Sequence, residues 1–137
     1  ELGDRFGEGH ALTALGMTYA ALGRYAEAIE HHRRGLAVFQ EVEDPGGEVE
    51  ARNGLGDALR AAGRPEPARD EYAAALALSA HTCMGYEISG VDIAHDNSGR
   101  PFIIETNITP EWQGFKQATG IDVADRIIKY ATDKADK

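Results

Sequence analysis

Apolar positions in the first eighty residues recur at helical spacing and are punctuated by glycine. Leu12, Leu15, Tyr19 and Leu22 fall on one stripe and predict a helix over about 7–22. Ile29, Leu36 and Phe39 predict the inward face of a second helix over about 25–41, which Asp44-Pro45-Gly46-Gly47 ends. Two more helices are expected at about 47–62 and 65–81. Pro65 and Pro67 suit the first turn of the latter, where a missing N–H costs nothing. The period then changes. Two runs, at about 86–95 and 101–107, flank Ser98-Gly99 and read as a β-hairpin closed by a two-residue turn, with the glycine supplying positive φ. A loop holding Pro110, Trp112 and Gly114 follows. Asp122 then opens a helix through about Lys134, with Ile121, Ala124, Ile127 and Ile128 inward. Its Lys129 and Lys134 sit near the negative end of the helix dipole. The expected fold class is α+β, mostly α: two helical hairpins, a β-hairpin and a C-terminal helix.

Residues 7–40 and 47–80 repeat with a period of 40. Gly7, Glu8, Ala11, Leu15, Gly16, Ala21, Gly23, Arg24, Ala28, Leu36 and Ala37 recur as Gly47, Glu48, Ala51, Leu55, Gly56, Ala61, Gly63, Arg64, Ala68, Leu76 and Ala77. A fixed period in this range marks stacked supersecondary units. Leu15-Gly16-x-x-Tyr19 with Ala28, and Leu55-Gly56-x-x-Leu59 with Ala68, resemble the tetratricopeptide pattern in the longer-helix form of bacterial regulators. The usual first Trp and closing Pro of that pattern are replaced. The resemblance implies a concave groove lined by the first helix of each repeat. His10, Thr13, Met17, Asn53, Asp57 and Arg60 would then face a protein or peptide partner. Residues 1–6 read as the end of a preceding repeat, with Glu1 and Asp4 aligning with Glu41 and Asp44.

Pairing about Ser98-Gly99 sets residues whose numbers sum to 197 opposite one another. Asp92 then faces Glu105, and Asn107, two residues on, points to the same side. Directly opposed carboxylates repel, so such a pair calls for a cation. Carboxylate and carboxamide oxygens are hard ligands suited to Mg²⁺. The stretch from about Met84 to Ala131 resembles the C-terminal end of ATP-grasp ligases. Within that family it is most like the branch that adds amino acids to carboxylates in ribosomal-protein modification and lysine biosynthesis. The matching pieces are Gly90-Val91-Asp92-Ile93, Phe102-Ile103-Ile104-Glu105-Thr106-Asn107, Pro110, Gly114-Phe115 and Ala118-Thr119-Gly120-Ile121-Asp122-Val123-Ala124. The resemblance implies that Asp92, Glu105 and Asn107 are ligands of the magnesium ions that hold the ATP phosphates. It also implies that the lysines, phosphate-covering loop and adenine pocket belong to a further subdomain. No cofactor is therefore expected for this chain in isolation, and Mg²⁺ and ATP are expected if the ligase site is completed. Trp112 and Phe115 are expected to cover the hairpin.

Composition separates the two parts. No lysine precedes Lys116, while eight of ten arginines lie before residue 70. Only Ile29 represents isoleucine in the first eighty residues, and eight follow. The chain reads as a chimera or recombined fragment joined near residues 79–84, with domains at 1–80 and 81–137. The net charge of −9 divides as −6 and −3 between them, and no basic stripe occurs, which argues against nucleic acid. No run approaches 18 apolar residues, so no membrane span is expected. The single cysteine, Cys83, fits a reducing, cytoplasmic setting. The chain opens without Met, consistent with removal of an upstream segment.

The remaining motifs are weak. His31 and His32 are adjacent on a helix and point about 100° apart, so they do not chelate together. His81 and Cys83 lack a second pair to complete a zinc site. Neither common phosphate loop is present. Asn107-Ile108-Thr109 is formally a glycosylation acceptor. No residue is assigned a catalytic role. The expectation is a non-catalytic interaction scaffold able to self-associate through repeat ends or hairpin edges. The alternative is the Mg-ATP-binding portion of a carboxylate–amine ligase.

Overall fold

The computed structural model describes residues 2–85, 89–107, 116, 120 and 122–135. Four helices come first: α1 (Leu2–Ala21), α2 (Tyr25–Glu41), α3 (Pro45–Ala61) and α4 (Pro65–Met84). An antiparallel pair, β1 (Gly90–His95) and β2 (Pro101–Asn107), follows, and α5 (Val123–Ala135) closes the order. Each of α1 to α4 packs on the next, α1 also reaches α3, and both strands lie against α4. The core sits within the helical stack, built around Ala28, Ile29, Leu55, Ala58, Leu59 and Ala68.

The 40-residue period is visible in the hydrogen bonds. Gly23 N–H donates to the Ala20 carbonyl and Arg24 N–H to Tyr19, at 3.0 and 2.9 Å. Gly63 and Arg64 repeat both bonds to Arg60 and Leu59 at the same lengths. Gly23 and Gly63 hold φ of 73° and 74°, a left-handed turn that side chains disfavour. Between the repeats Asp44 caps α3 by accepting from Gly46 N–H at 3.1 Å, with Pro45 in the first turn.

Small residues let the helices interlock. The His32 ring, buried at 1% exposure, lies between α1 and α3. A Cβ on Gly16 or Gly54 would fall 2.7 or 2.3 Å from that ring, so both positions must lack one. The next repeat reproduces half of this arrangement. Gly56 gives room to Tyr72, the counterpart of His32 one period on, where a Cβ would lie 2.6 Å from the ring.

Several sequence expectations change. Helix α1 starts at Leu2, so described residues before Gly7 continue it rather than ending a separate repeat. Leu12 is buried, but Leu15 and Leu22 are 46% and 67% exposed. The stripe expected to be inward faces solvent in part, because α1 has no earlier helix on its outer side among the described residues. Helix α4 runs on to Met84, where Gly85 caps it at a φ of 68°. Strand β1 begins at Gly90, and residues 86–88 lie outside the described set. On α5, Ile128 is 64% exposed rather than inward. Pro110, Trp112, Gly114, Phe115 and Ile121 lie outside the described residues.

The hairpin turn is also one residue longer than expected. Asp96 C=O accepts from Gly99 N–H at 2.9 Å, Asp96 N–H donates to Arg100, and Gly99 has a φ of 83°. That is a three-residue connection ending in a left-handed glycine. Near the turn Ile93 therefore faces Ile103 and Ala94 faces Phe102. An irregularity after Asp92 takes up the extra residue and restores the expected pairing of Asp92 with Glu105 and Gly90 with Asn107.

Candidate functional site

Two surfaces hold the residues singled out from the sequence. The first is the row of first-helix residues in the repeats. Met17 is 59% exposed, and Asn53, Asp57 and Arg60 are also exposed. His10 stacks edge-on between Phe6 and Phe39, at 4.6 and 5.0 Å between ring centres, and its Nδ1 lies 3.7 Å from Glu50. Asp57 accepts from the Tyr72 hydroxyl at 2.7 Å and from Arg60 at 3.4 Å. Burial and the bond to Asp57 raise the Tyr72 phenol above its ordinary pKa. Thr13 departs from expectation. It is 1% exposed because it faces Gly35, where α1 and α2 approach too closely for a side chain. It therefore does not reach the open face.

The second surface is the far end of the hairpin. Asp92 and Glu105 are paired across the strands and exposed, and Asn107, paired with Gly90, is half-buried. Two carboxylates and a carboxamide form a hard-oxygen donor set that fits Mg²⁺ chemically. Among the described residues no group of three or more His, Cys, Asp or Glu converges as a metal site. With two carboxylates open to water, the set leaves most of the ion's shell to water or phosphate.

A cavity of about 760 Å³ opens between α3, α4 and the hairpin turn. Its wall includes Arg60, Arg69, Tyr72, Leu76, Arg100 and Pro101. None of Asp92, Glu105 and Asn107 lines it.

The tetratricopeptide repeat family matches residues 8–80, and the RimK-like ATP-grasp domain family matches residues 61–131. The chain belongs to both families. The two matches overlap on residues 61–80, so α4 serves as the last repeat helix and also lies within the ATP-grasp match. A probable alpha-L-glutamate ligase 2 of Shewanella denitrificans is 46% identical over 54 residues, covering 39% of this chain and 18% of that protein. A probable alpha-L-glutamate ligase of Legionella pneumophila (strain Corby) is 41% identical over 61 residues, 44% of this chain and 20% of its own length. One of Serratia proteamaculans is 39% identical over 56 residues, 41% of this chain and 18% of its own. The chain thus spans about a fifth of the curated relatives it matches. No solved structure matches.

In this tetratricopeptide–ATP-grasp chain the Asp-Glu-Asn set lies on the ATP-grasp hairpin and the exposed row on the repeats. The cavity lies between the repeat helices and the hairpin turn, apart from the Asp-Glu-Asn set, and sequence reasoning missed it. One signal was present: Tyr72 stands one period after His32. The repeat itself marks that position as the one a following element would cover.

Proposed function

We propose that this chain is a non-catalytic protein-interaction scaffold, with repeats over 1–80 presenting a partner-binding face and the ATP-grasp segment over 81–137 closing the stack. It would act in a reducing, cytoplasmic setting, consistent with the exposed free thiol of Cys83. The observation that carries the reading is an asymmetry within the repeats. Their inner faces are sealed around Phe39, Leu55, Leu59 and His32, while His10, Met17, Asn53, Asp57 and Arg60 stay accessible along one row. A rigid core beneath an open polar row is the form in which helical repeats present a binding surface. Self-association through the exposed outer side of α1 belongs to the same reading.

The second reading rests on one observation, the Asp92–Glu105 pairing kept in place across the strand irregularity. It makes the hairpin the Mg-ATP-binding part of a ligase that activates a carboxylate and joins it to an amine. A nucleotide-binding subdomain would have to complete it. Titration calorimetry of Mg-ATP into the chain, beside the Glu105→Ala/Asn107→Ala variant, separates the two. The scaffold reading expects no saturable heat from either protein below millimolar nucleotide. Sub-millimolar binding that disappears in the variant would replace it with the second reading.

A further inference from the structure

The cavity beside α4 is the place where the repeat pattern runs out. In the first repeat the His32 ring is covered on its outer side by Gly54 of α3. Tyr72 is the same position one period later, and its outer side borders the cavity. The hairpin turn lies across this opening, with Gly99 against the Arg69 side chain. The site is therefore composite, made of repeat helices on one side and the ATP-grasp hairpin on the other.

The charge of its wall runs against that of the molecule. The chain carries 23 Asp and Glu against 14 Lys and Arg. Among the described residues lining the cavity, however, there are three arginines and no carboxylate. Two of the arginines have weak partners. Arg60 interacts with the Tyr72 side chain and reaches Asp57 at 3.4 Å, and Arg69 reaches Glu66 at 3.5 Å. The Arg69 Nε is buried with no hydrogen-bond partner among the described residues, which leaves a donor unmet where water is scarce. Arg100 is held by Asp96 at 3.0 Å yet remains 83% exposed. Each guanidinium carries five donors, so all three retain capacity for carboxylate oxygens. Leu76, Pro101 and the Tyr72 ring supply apolar wall between them.

We infer that this cavity binds a short acidic peptide segment, with carboxylates on Arg60, Arg69 and Arg100 and an apolar side chain against Leu76 and Tyr72. The inference rests on the scaffold reading and adds the chemistry of the partner and the participation of the hairpin. A volume of about 760 Å³ lies within the range of small-ligand sites and takes a few side chains rather than a whole helix.

The test is fluorescence anisotropy with three labelled peptides of equal length, alternating leucine with glutamate, lysine or serine, in low and high salt. Each is titrated with the intact chain and with Arg60→Gln, Arg69→Gln and Arg100→Gln variants whose helicity is checked by circular dichroism. The glutamate peptide is expected to bind preferentially, to weaken with salt, and to lose at least about tenfold in affinity in every variant, as expected for charge-assisted contacts. Equal binding of the three peptides, or glutamate-peptide binding unchanged in the Arg69→Gln variant, would overturn the inference and leave the scaffold reading in place. Loss in Arg60→Gln and Arg69→Gln but not in Arg100→Gln would overturn the composite site. Binding of no peptide at all would overturn the inference, and its failure is then read apart from the scaffold reading by a lysate-independent array of neutral and basic peptides.

Discussion

Burial holds the His32 imidazole below its ordinary pKa; His31 adds to the effect and Asp57 opposes it. The unfolded chain therefore takes up a proton at this site at higher pH than the folded chain. Stability from the neutral ring is complete above the ordinary histidine pKa and is lost as pH falls through the depressed folded value. Thermal unfolding followed by circular dichroism should show a lower midpoint at pH 5 than at pH 8, and a His32→Gln variant should flatten that dependence. A second residue-scale prediction uses the glycines. Gly54→Ala would place its Cβ 2.3 Å from the His32 ring. Overpacking costs about 1–3 kcal/mol, against about 1 kcal/mol gained in helix propensity. Gly7→Ala meets nothing within 4 Å and keeps only the gain. Urea unfolding should therefore rank Gly7→Ala above the parent and Gly54→Ala at or below it.

At the scale of elements, the hairpin turn depends on one carboxylate. Asp96 accepts from Ser98 N–H and Oγ and from Arg100 N–H and Nε at 2.6–3.0 Å. Those bonds, led by the one from the Ser98 hydroxyl, hold its carboxyl far below the usual carboxylate range. Asp96→Ala should release the turn, seen as faster amide exchange at Ser98 and Arg100 with the helices unchanged. The sequence made much of this architecture legible. The four helices and their glycine turns follow from local periodicity and a repeat that states every position twice. The Asp92–Glu105 pairing was also legible, although by cancellation: a turn one residue longer than expected and a strand irregularity offset each other. The cavity was not legible. Arg69 and Arg100 share a wall only because the hairpin folds back on α4, and no local pattern encodes that return. Thr13 illustrates the same limit, since its burial depends on a glycine across the helix pair.

At the scale of the whole molecule, the period compares equivalent faces directly. On α3 the stripe of Gly47, Ala51, Gly54 and Ala58 turns toward α2 and is buried or nearly so. Its counterparts on α1 are Gly7, Ala11, Ala14 and Thr18, and all four are exposed. The same contrast divides two leucines, with Leu55 at 2% exposure and Leu15 at 46%. Position within the stack, rather than residue type, sets the difference. Phe6 and Met17 add exposed apolar surface elsewhere on the same helix, and Leu22 does so just past its end. A second copy can cover this face by a two-fold pairing of α1 with α1, the commonest symmetry for a self-complementary patch. A two-fold pair covers two copies of Leu15, each about half-exposed beforehand and together worth about 1.5–3 kcal/mol, so Leu15→Glu should weaken association by roughly ten- to a hundredfold. Sedimentation velocity across a concentration series should resolve a dimer for the parent chain and a monomer for the variant at the same loading. Because Leu15 is half-exposed in the single chain, the variant should keep the parent's helicity, and its unfolding midpoint should equal that of the parent diluted to monomer. A parent chain that stays monomeric at the highest loading would confine the partner-binding role to the polar row and the α4 cavity.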